Sequence, residues 1–354
     1  MFRILVINPG STSSKIAVFE NENNIYEKTL RHSIEELSVF PSVASQYEFR
    51  ENVILNCLKN DNIETKFDII VGRGGLLHPL VSGAYAVSEQ MKKDLLAATY
   101  GEHACSLGGL IADNLAQKFG CKAIIADPVV VDEMQDVARI SGHPWFERHS
   151  IFHCLNQKAI ARRYAKDCGI PYEQMNLIVA HLGGGVSVGA HCKGKAIDVN
   201  NALCYGPFSP ERTGTVASTD LIKICFSGKY TEQEIMKQIN GKGGLTAHLG
   251  TNDAYEVEVR AEQQGDKHAA LIWDAMAYNI AKEIGALATV LRGKVDAILL
   301  TGGIARGKYF VQYISQMVDF IAPVKVYPGE DEMLALAEHG IRVLNGEEEV
   351  KEYK

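Results

Sequence analysis

The sequence predicts an α/β protein of two domains with mixed sheets, and three observations predict it. At 354 residues, 46% of them hydrophobic, the chain has the length for two domains and the apolar content to fill two cores. A short strand, turn and strand at the N-terminus returns near the middle of the chain. Beyond residue 267, strands and helices alternate, the mark of sheets flanked by helices.

The first meander opens with RILVINPGSTSSKIAVF, residues 3–19. Period-2 alternation predicts strands over 3–7, 15–20 and 25–31, with turns at 9–13 and at Asn23-Asn24. The recurrence is LIVAHL (177–182), VSVGAHC (186–192) and AIDV (196–199), broken by Gly183-Gly184-Gly185 and Lys193-Gly194-Lys195. A duplicated strand, phosphate-sized turn and strand is what two related halves facing one another require, with a cleft between them. Between the meanders the pattern predicts strand 66–72, helices near 89–98 and 104–118, strand 122–127 and helix 154–169 stopped by Gly169 and Pro171. In the second half, Thr231 to Glu234 form a capping box. Helix 267–292, strand 295–301, helix 308–321, strand 324–327 and helix 331–344 come next, and the tail NGEEEVKEYK reads as a solvated end. The expected domains are 1–165 and 166–330, with 331–354 packing back on the first.

Composition narrows the partners. A formal charge of −7 and a pI near 5.9 argue against nucleic acid and anionic membrane, both of which need a basic face. No apolar run approaches the ~20 residues of a membrane span, and MFRILVINPG is too short in apolar length for a signal peptide. Eight cysteines without a CxxC pair read as reduced thiols. A cytoplasmic protein with a small-molecule partner is expected.

Three glycine-rich turns each succeed a buried strand. For Asn8 to Lys15 a plain hairpin needs Gly10 alone, so Ser11, Thr12 and Ser13 are surplus. Their hydroxyls and the backbone N–H groups suit phosphate oxygens, with Lys15 as a point charge. The next element is a strand, which excludes a helix-opening phosphate loop. HLGGGVSVG has the glycines of a dinucleotide fingerprint, but its strand-period continuation supplies no helix N-terminus. It is either an ordinary turn or a hairpin whose glycines admit phosphate to the backbone. Gly302 to Lys308 reads GxxxxGK, yet Tyr309 stands where a P-loop places the Ser or Thr that holds magnesium. A loop contacting nucleoside or phosphate through its backbone is the better reading.

Charged residues at strand ends complete the candidates. Arg73 in VGRGG follows strand 66–72, Asp127 in IIADP ends the next, and Arg212 lies in SPERTG after the second meander. Each has a bland alternative as a surface ion-pair partner. Asp127, directly after four apolar residues, suits a Mg²⁺ ligand or its water shell. His149, His153 and His181 suggest a zinc site, but no HExxH accompanies them, and a satisfied structural histidine competes for His153.

Taken together, INPGSTSSK, VGRGG, IIADP, RHSIFH, AHLGGG, PERTG, LLTGGI and EMLALA, in that order over nearly the whole length, resemble the acetate and butyrate kinase family. The resemblance implies two actin-like (ribonuclease H-like) domains with mixed sheets and an interdomain active-site cleft. It implies that Asn8, Ser11, Ser13 and Lys15 form a first phosphate loop and Gly183, Gly184 and Gly185, with His181, a second. Gly302, Gly303 and Ile304 match the adenosine-side loop. Arg73 and Arg212 match the arginines that grip the acyl carboxylate and the transferring phosphoryl group, and His153 the histidine that stabilises that group. Asp127 and Glu332 match acidic residues around magnesium. Acetate kinases usually read HLGNG, and Gly184 replaces that amide, as in the butyrate and branched-chain acid branch. The expected reaction is reversible in-line transfer from ATP to a short-chain carboxylic acid, giving ADP and an acyl phosphate, in a homodimer or larger homo-oligomer. A kinase for acetate or propionate and a non-catalytic actin-like nucleotide switch are the rivals.

Overall fold

The computed structural model describes residues 1–354, which divide into two compact units, Met1–Val131 with Asp331–Lys354, and Asp132–Glu330. The first unit holds a six-stranded sheet of order β3-β2-β1-β4-β6-β5, formed by β1 (Arg3–Pro9), β2 (Ser13–Glu20), β3 (Asn23–Arg31), β4 (Ile69–Arg73), β5 (Ala84–Ala86) and β6 (Lys122–Ala126). The second holds a five-stranded sheet of order β11-β10-β7-β8-β9, from β7 (Asn176–Leu182), β8 (Val186–Cys192), β9 (Lys195–Val199), β10 (Ala297–Gly302) and β11 (Val324–Pro328).

The recurrence in the sequence is a recurrence of topology. In unit one, β1 pairs antiparallel with β2 and parallel with β4, which is parallel to β6. In unit two, β7 pairs antiparallel with β8 and parallel with β10, which is parallel to β11. The expected α/β class with mixed sheets is what the chain adopts. The central strands read as near-continuous apolar runs because both of their faces are covered. Along β7, Ile178, Ala180 and Leu182 join the core that contains Trp273, Met276 and Ile280 of helix Lys267–Val290. Leu177 and Val179 turn the other way, toward Ile160, Ala161 and Ala165 of helix Cys154–Cys168.

That second contact moves the division of the chain. The first unit ends at Val131 rather than near residue 165. Residues from 132 onward take partners in the second unit: the Gln135 N–H donates to Ile197 O at 3.0 Å, and Lys158 pairs with Glu133 at 2.7 Å. In unit one, helix Leu107–Phe119 covers one face of β4, where Gly72 and Gly108 meet so closely that a side chain on either would strike backbone. Helix Glu332–Asn345 packs on β1 and β4, its Gly340 against Ile4, Ile69 and Val71. No helix is long and apolar enough to cross a membrane.

The C-terminal tail is docked, contrary to the solvated end its charge suggests. Lys351 bridges to β5, its N–H donating to Ala84 O at 2.9 Å and its carbonyl accepting from Ala86 N–H at 3.0 Å. Tyr353 is buried, stacks on His78 with centroids 4.4 Å apart, and donates its O–H to Asp94 at 2.7 Å. Apolar stems and one aromatic ring outweigh the charges around them.

Candidate active site

In unit one, strand pairing fixes the first turn. Asn8 and Lys15 stand opposite each other at the end of the β1–β2 hairpin, and the Gly10 N–H donates to Ser13 O at 2.8 Å. The carbonyls of this turn converge on a residue that the sequence did not flag. Arg50, on helix Tyr47–Asn60 and without solvent exposure, donates to Gly10 O at 2.7 Å, Ser13 O at 2.9 Å and Ser11 O at 2.9 Å. With the carbonyls drawn inward, no hydrogen bond within the chain engages the hydroxyls of Ser11 or Ser13. Lys15 is ion-paired with Glu27 of β3 at 2.7 Å, so its charge sits over the sheet's edge strand.

Three further candidates meet at the ends of β1 and β4. Glu332, the first residue of helix Glu332–Asn345, accepts at Oε2 from Asn8 Nδ2 at 2.7 Å and forms an ion pair with Arg73 at the same oxygen. Parallel pairing of β1 with β4 sets Asn8 and Arg73 side by side, and the returning helix brings the carboxylate to them. A neighbour 324 residues away in sequence is visible only once the chain has folded.

Asp127, expected near a metal, is engaged by protein groups. Its side chain has no solvent exposure. Oδ1 accepts from Ser82 Oγ at 2.6 Å and Gly83 N–H at 2.8 Å, while Oδ2 faces His339 Nε2 at 3.1 Å. His339 Nδ1 is in turn 2.9 Å from Glu348 Oε2, which also accepts from Arg342 Nε. A φ of +37° at Asp127, in the left-handed region that non-glycine residues avoid, is held by these bonds.

In unit two, the turn Gly183-Gly184-Gly185 joins β7 to β8, closed by Gly183 N–H to Gly185 O at 3.1 Å and pinned by Ser209 Oγ donating to Gly184 O at 2.8 Å. The Arg212 guanidinium lies against Gly185 so tightly that a Cβ there would collide with it. Arg212 donates to Ala202 O at 3.1 Å and Asn240 Oδ1 at 3.1 Å. No carboxylate pairs with it, and burial pulls its basicity below the ordinary arginine value, opposed by nearby Glu211. A half-buried cation held by neutral acceptors keeps charge with which it can attract an anion.

The second and third glycine turns line one cavity of about 400 Å³, shared by Gly183, Gly184, Gly303, Ile304, Tyr255 and Glu330. Gly302, at φ +93°, is pressed against Leu182 backbone, which brings the end of β10 beside the end of β7. Tyr309 donates to Asp274 at 3.0 Å, away from that turn.

His153 immediately precedes helix Cys154–Cys168 and His181 lies on β7. Their rings stack at 3.8 Å with planes 10° apart. His181 Nδ1 is 2.9 Å from Asn156 Oδ1 and Nε2 3.1 Å from Glu330 Oε1, while His153 Nδ1 is 2.8 Å from Ser187 Oγ. No three His, Cys, Asp or Glu side chains converge to hold a metal.

Behind this pair, His191 is fully buried; burial, with Lys158 and Arg162 adding to it, pushes its imidazole down to about 3. An unfolded histidine titrates near 6.5, so the unfolded chain binds the extra proton first. Stability is therefore full above about pH 6.5 and falls as pH drops toward 3, by ~1.4 kcal/mol per pH unit from this group. Urea titrations across that window are expected to show a flatter acid slope in His191→Gln; an identical slope would mean that His191 is not the proton acceptor.

Comparison with known proteins agrees with this architecture. The profile of the acetokinase family matches residues 144–326, just over half of the chain. Butyrate kinase 2 of Clostridium acetobutylicum is 58% identical, covering 100% of this chain and 99% of that protein. A probable butyrate kinase of Bacteroides thetaiotaomicron is 55% identical, over 99% of this chain and 100% of its own. Among solved structures, Porphyromonas gingivalis acetate kinase superposes with a TM-score of 0.80 at 20% identity, covering 97% of this chain and 100% of that one, a likeness that speaks for the fold. On full-length identity above half, the chain belongs to the acetokinase family.

Proposed function

We propose that this chain transfers the γ-phosphoryl group of ATP directly to a short-chain fatty acid, butyrate or a branched-chain relative, giving ADP and an acyl phosphate. The observation that carries the site assignment is Arg212, a half-buried guanidinium without a carboxylate partner beside the Gly183–Gly185 turn. The full-length identity to butyrate kinases carries the acid.

The chemistry asks little of a general base. A carboxylic acid with pKa near that of Glu, about 4.3, is already ionised at neutral pH and is its own nucleophile. One carboxylate oxygen attacks the γ-phosphorus, the bond to the β–γ bridging oxygen breaks, and ADP leaves with that electron pair. The obstacle is repulsion between two anions, and fixed positive groups relieve it. Arg212 supplies charge to the phosphoryl group. Arg73 is assigned to the acid, held in place by Glu332, and His153 donates a hydrogen bond to the phosphoryl oxygens. Ser11 and Ser13 offer hydroxyls to phosphate, and the backbone N–H groups of Gly184 and Gly185 serve as further donors. The cavity lined by Gly303 and Ile304 takes the nucleoside side.

Magnesium binds through one or two carboxylates, waters and substrate phosphates rather than an all-protein cage. Glu332 fits that pattern, with its side chain 18% exposed. Asp127 does not, since both of its oxygens are engaged inside the protein. The ion, held by Glu332 through water and by the nucleotide, would neutralise phosphate charge. Asp127 is assigned to positioning.

Hydroxamate detection of acyl phosphate with Mg-ATP, across acetate, propionate, butyrate, isobutyrate and isovalerate, tests the reading. Product is expected with butyrate or the branched acids in preference to acetate, one methylene being worth roughly 1–3 kcal/mol of discrimination. Absence of product with every acid would overturn the activity, and preference for acetate would overturn the substrate.

A further inference from the structure

We propose that a buried hydrogen-bond relay running from Tyr172 through His191, Gln157 and Ser187 fixes the tautomer of His153 and so positions it as a donor for phosphoryl transfer. Gln157, Ser187 and His191 have no solvent exposure and Tyr172 only 3%. The side chains come from helix Cys154–Cys168, β8 and the turn before β7.

The direction of every bond in the relay is set by one fixed acceptor. Gln157 Nε2 lies 3.0 Å from the Ser187 carbonyl, which can only accept, so the amide nitrogen must face that way. The amide oxygen then faces His191 Nε2 at 2.9 Å, and His191 must carry its proton there. His191 Nδ1 is left bare, and the Tyr172 O–H donates to it at 2.6 Å. On the other side, the second amide hydrogen of Gln157 goes to Ser187 Oγ at 2.9 Å, and the His153 backbone N–H reaches the same oxygen at 3.3 Å. Both lone pairs of the hydroxyl are thereby used. Its own hydrogen has one remaining direction, to His153 Nδ1 at 2.8 Å.

His153 therefore accepts at Nδ1 and carries its proton on Nε2, at the end of the ring away from the relay. A donor is what an anionic phosphoryl oxygen needs, and a donor set in advance costs no reorganisation during reaction. Stacking on His181 fixes the ring plane, and the relay fixes the proton. None of these four residues touches substrate; they act through His153, and the proposal rests on the role of His153 in the proposed phosphoryl transfer.

Nitrogen-15 spectra of the full-length protein labelled at histidine, with steady-state kinetics, test the relay. In the native chain His153 is expected to show protonated Nε2 and bare Nδ1 across neutral pH. Ser187→Ala is expected to give a tautomer mixture and a kcat lower by about tenfold or more, with KM for ATP and acid within about twofold. Ser187→Thr, which keeps the hydroxyl, is expected to restore both. Tyr172→Phe removes only the far donor and leaves the Ser187 carbonyl orienting Gln157, so it is expected to keep His153 protonated at Nε2 in a chain that still folds. A native proton on Nδ1, or a His153 tautomer unmoved in Ser187→Ala, overturns the relay. A moved tautomer with unchanged kcat overturns its catalytic use. A chain with the expected tautomer that phosphorylates no acid overturns the assignment through the functional reading and not through the relay.

Discussion

Arg212→Ala is expected to lower turnover ~10³-fold, the scale on which an arginine that stabilises a transferring phosphoryl group acts. Its guanidinium is placed by neutral groups, Ala202 O and Asn240 Oδ1, so removing it leaves no buried anion behind and the unit should still fold. Loss of rate with a native circular dichroism spectrum and melting temperature is the expected pair of results. Arg212→Lys should recover only part of the rate, because a point charge cannot make two differently directed bonds and face an anion as well. Gly185→Ala should act in the same direction from the other side, since its Cβ would displace the guanidinium. Near-normal turnover in Arg212→Ala would remove this residue from the mechanism.

His339→Ala is expected to destabilise the first unit by about 3 kcal/mol or more, the cost of stranding a buried charge. The side chains of His339 and Asp127 are 1% and 0% exposed, so water cannot replace the lost partner. The effect should spread along the tail, because Glu348 is tied to His339 and Lys351 clips β5. Urea denaturation measures the loss, and hydrogen exchange locates it: the Ala86 and Lys351 amides should exchange early, while those of β7 and β8 keep their protection. Unchanged stability, or uniform loss of protection in both units, would refute the clip.

Much of the candidate site was legible before folding because its residues sit in short, ordered stretches. The hydroxyls after Gly10, the glycines after His181 and the arginine in VGRGG all lie at strand ends, and period 2 locates strand ends well. The cavity shared by Gly183, Gly184, Gly303 and Ile304 arises because β7 and β10 lie side by side. What escaped was every partner that reaches its neighbour through space. Arg50 gathers three carbonyls from a turn about 40 residues earlier, and nothing in YEFRENVIL marks that arginine as buried. Gln157 and His191 did leave a trace, as polar residues within segments whose period puts them in the core, but a polar residue at a core position names no partner.

By itself, then, the sequence determined every strand but the short β5, that the meander occurs twice, and which residues stand at the sheet ends, since backbone sterics and apolar alternation act over a few residues. The tertiary structure alone decided which side chains pair by charge or hydrogen bond: Glu332 with Arg73 and Asn8, Asp127 with His339, Tyr172 with His191. Electrostatic and hydrogen-bonding partners are chosen by distances of about 3 Å, and chain separations of hundreds of residues carry no information about them until packing brings the elements together.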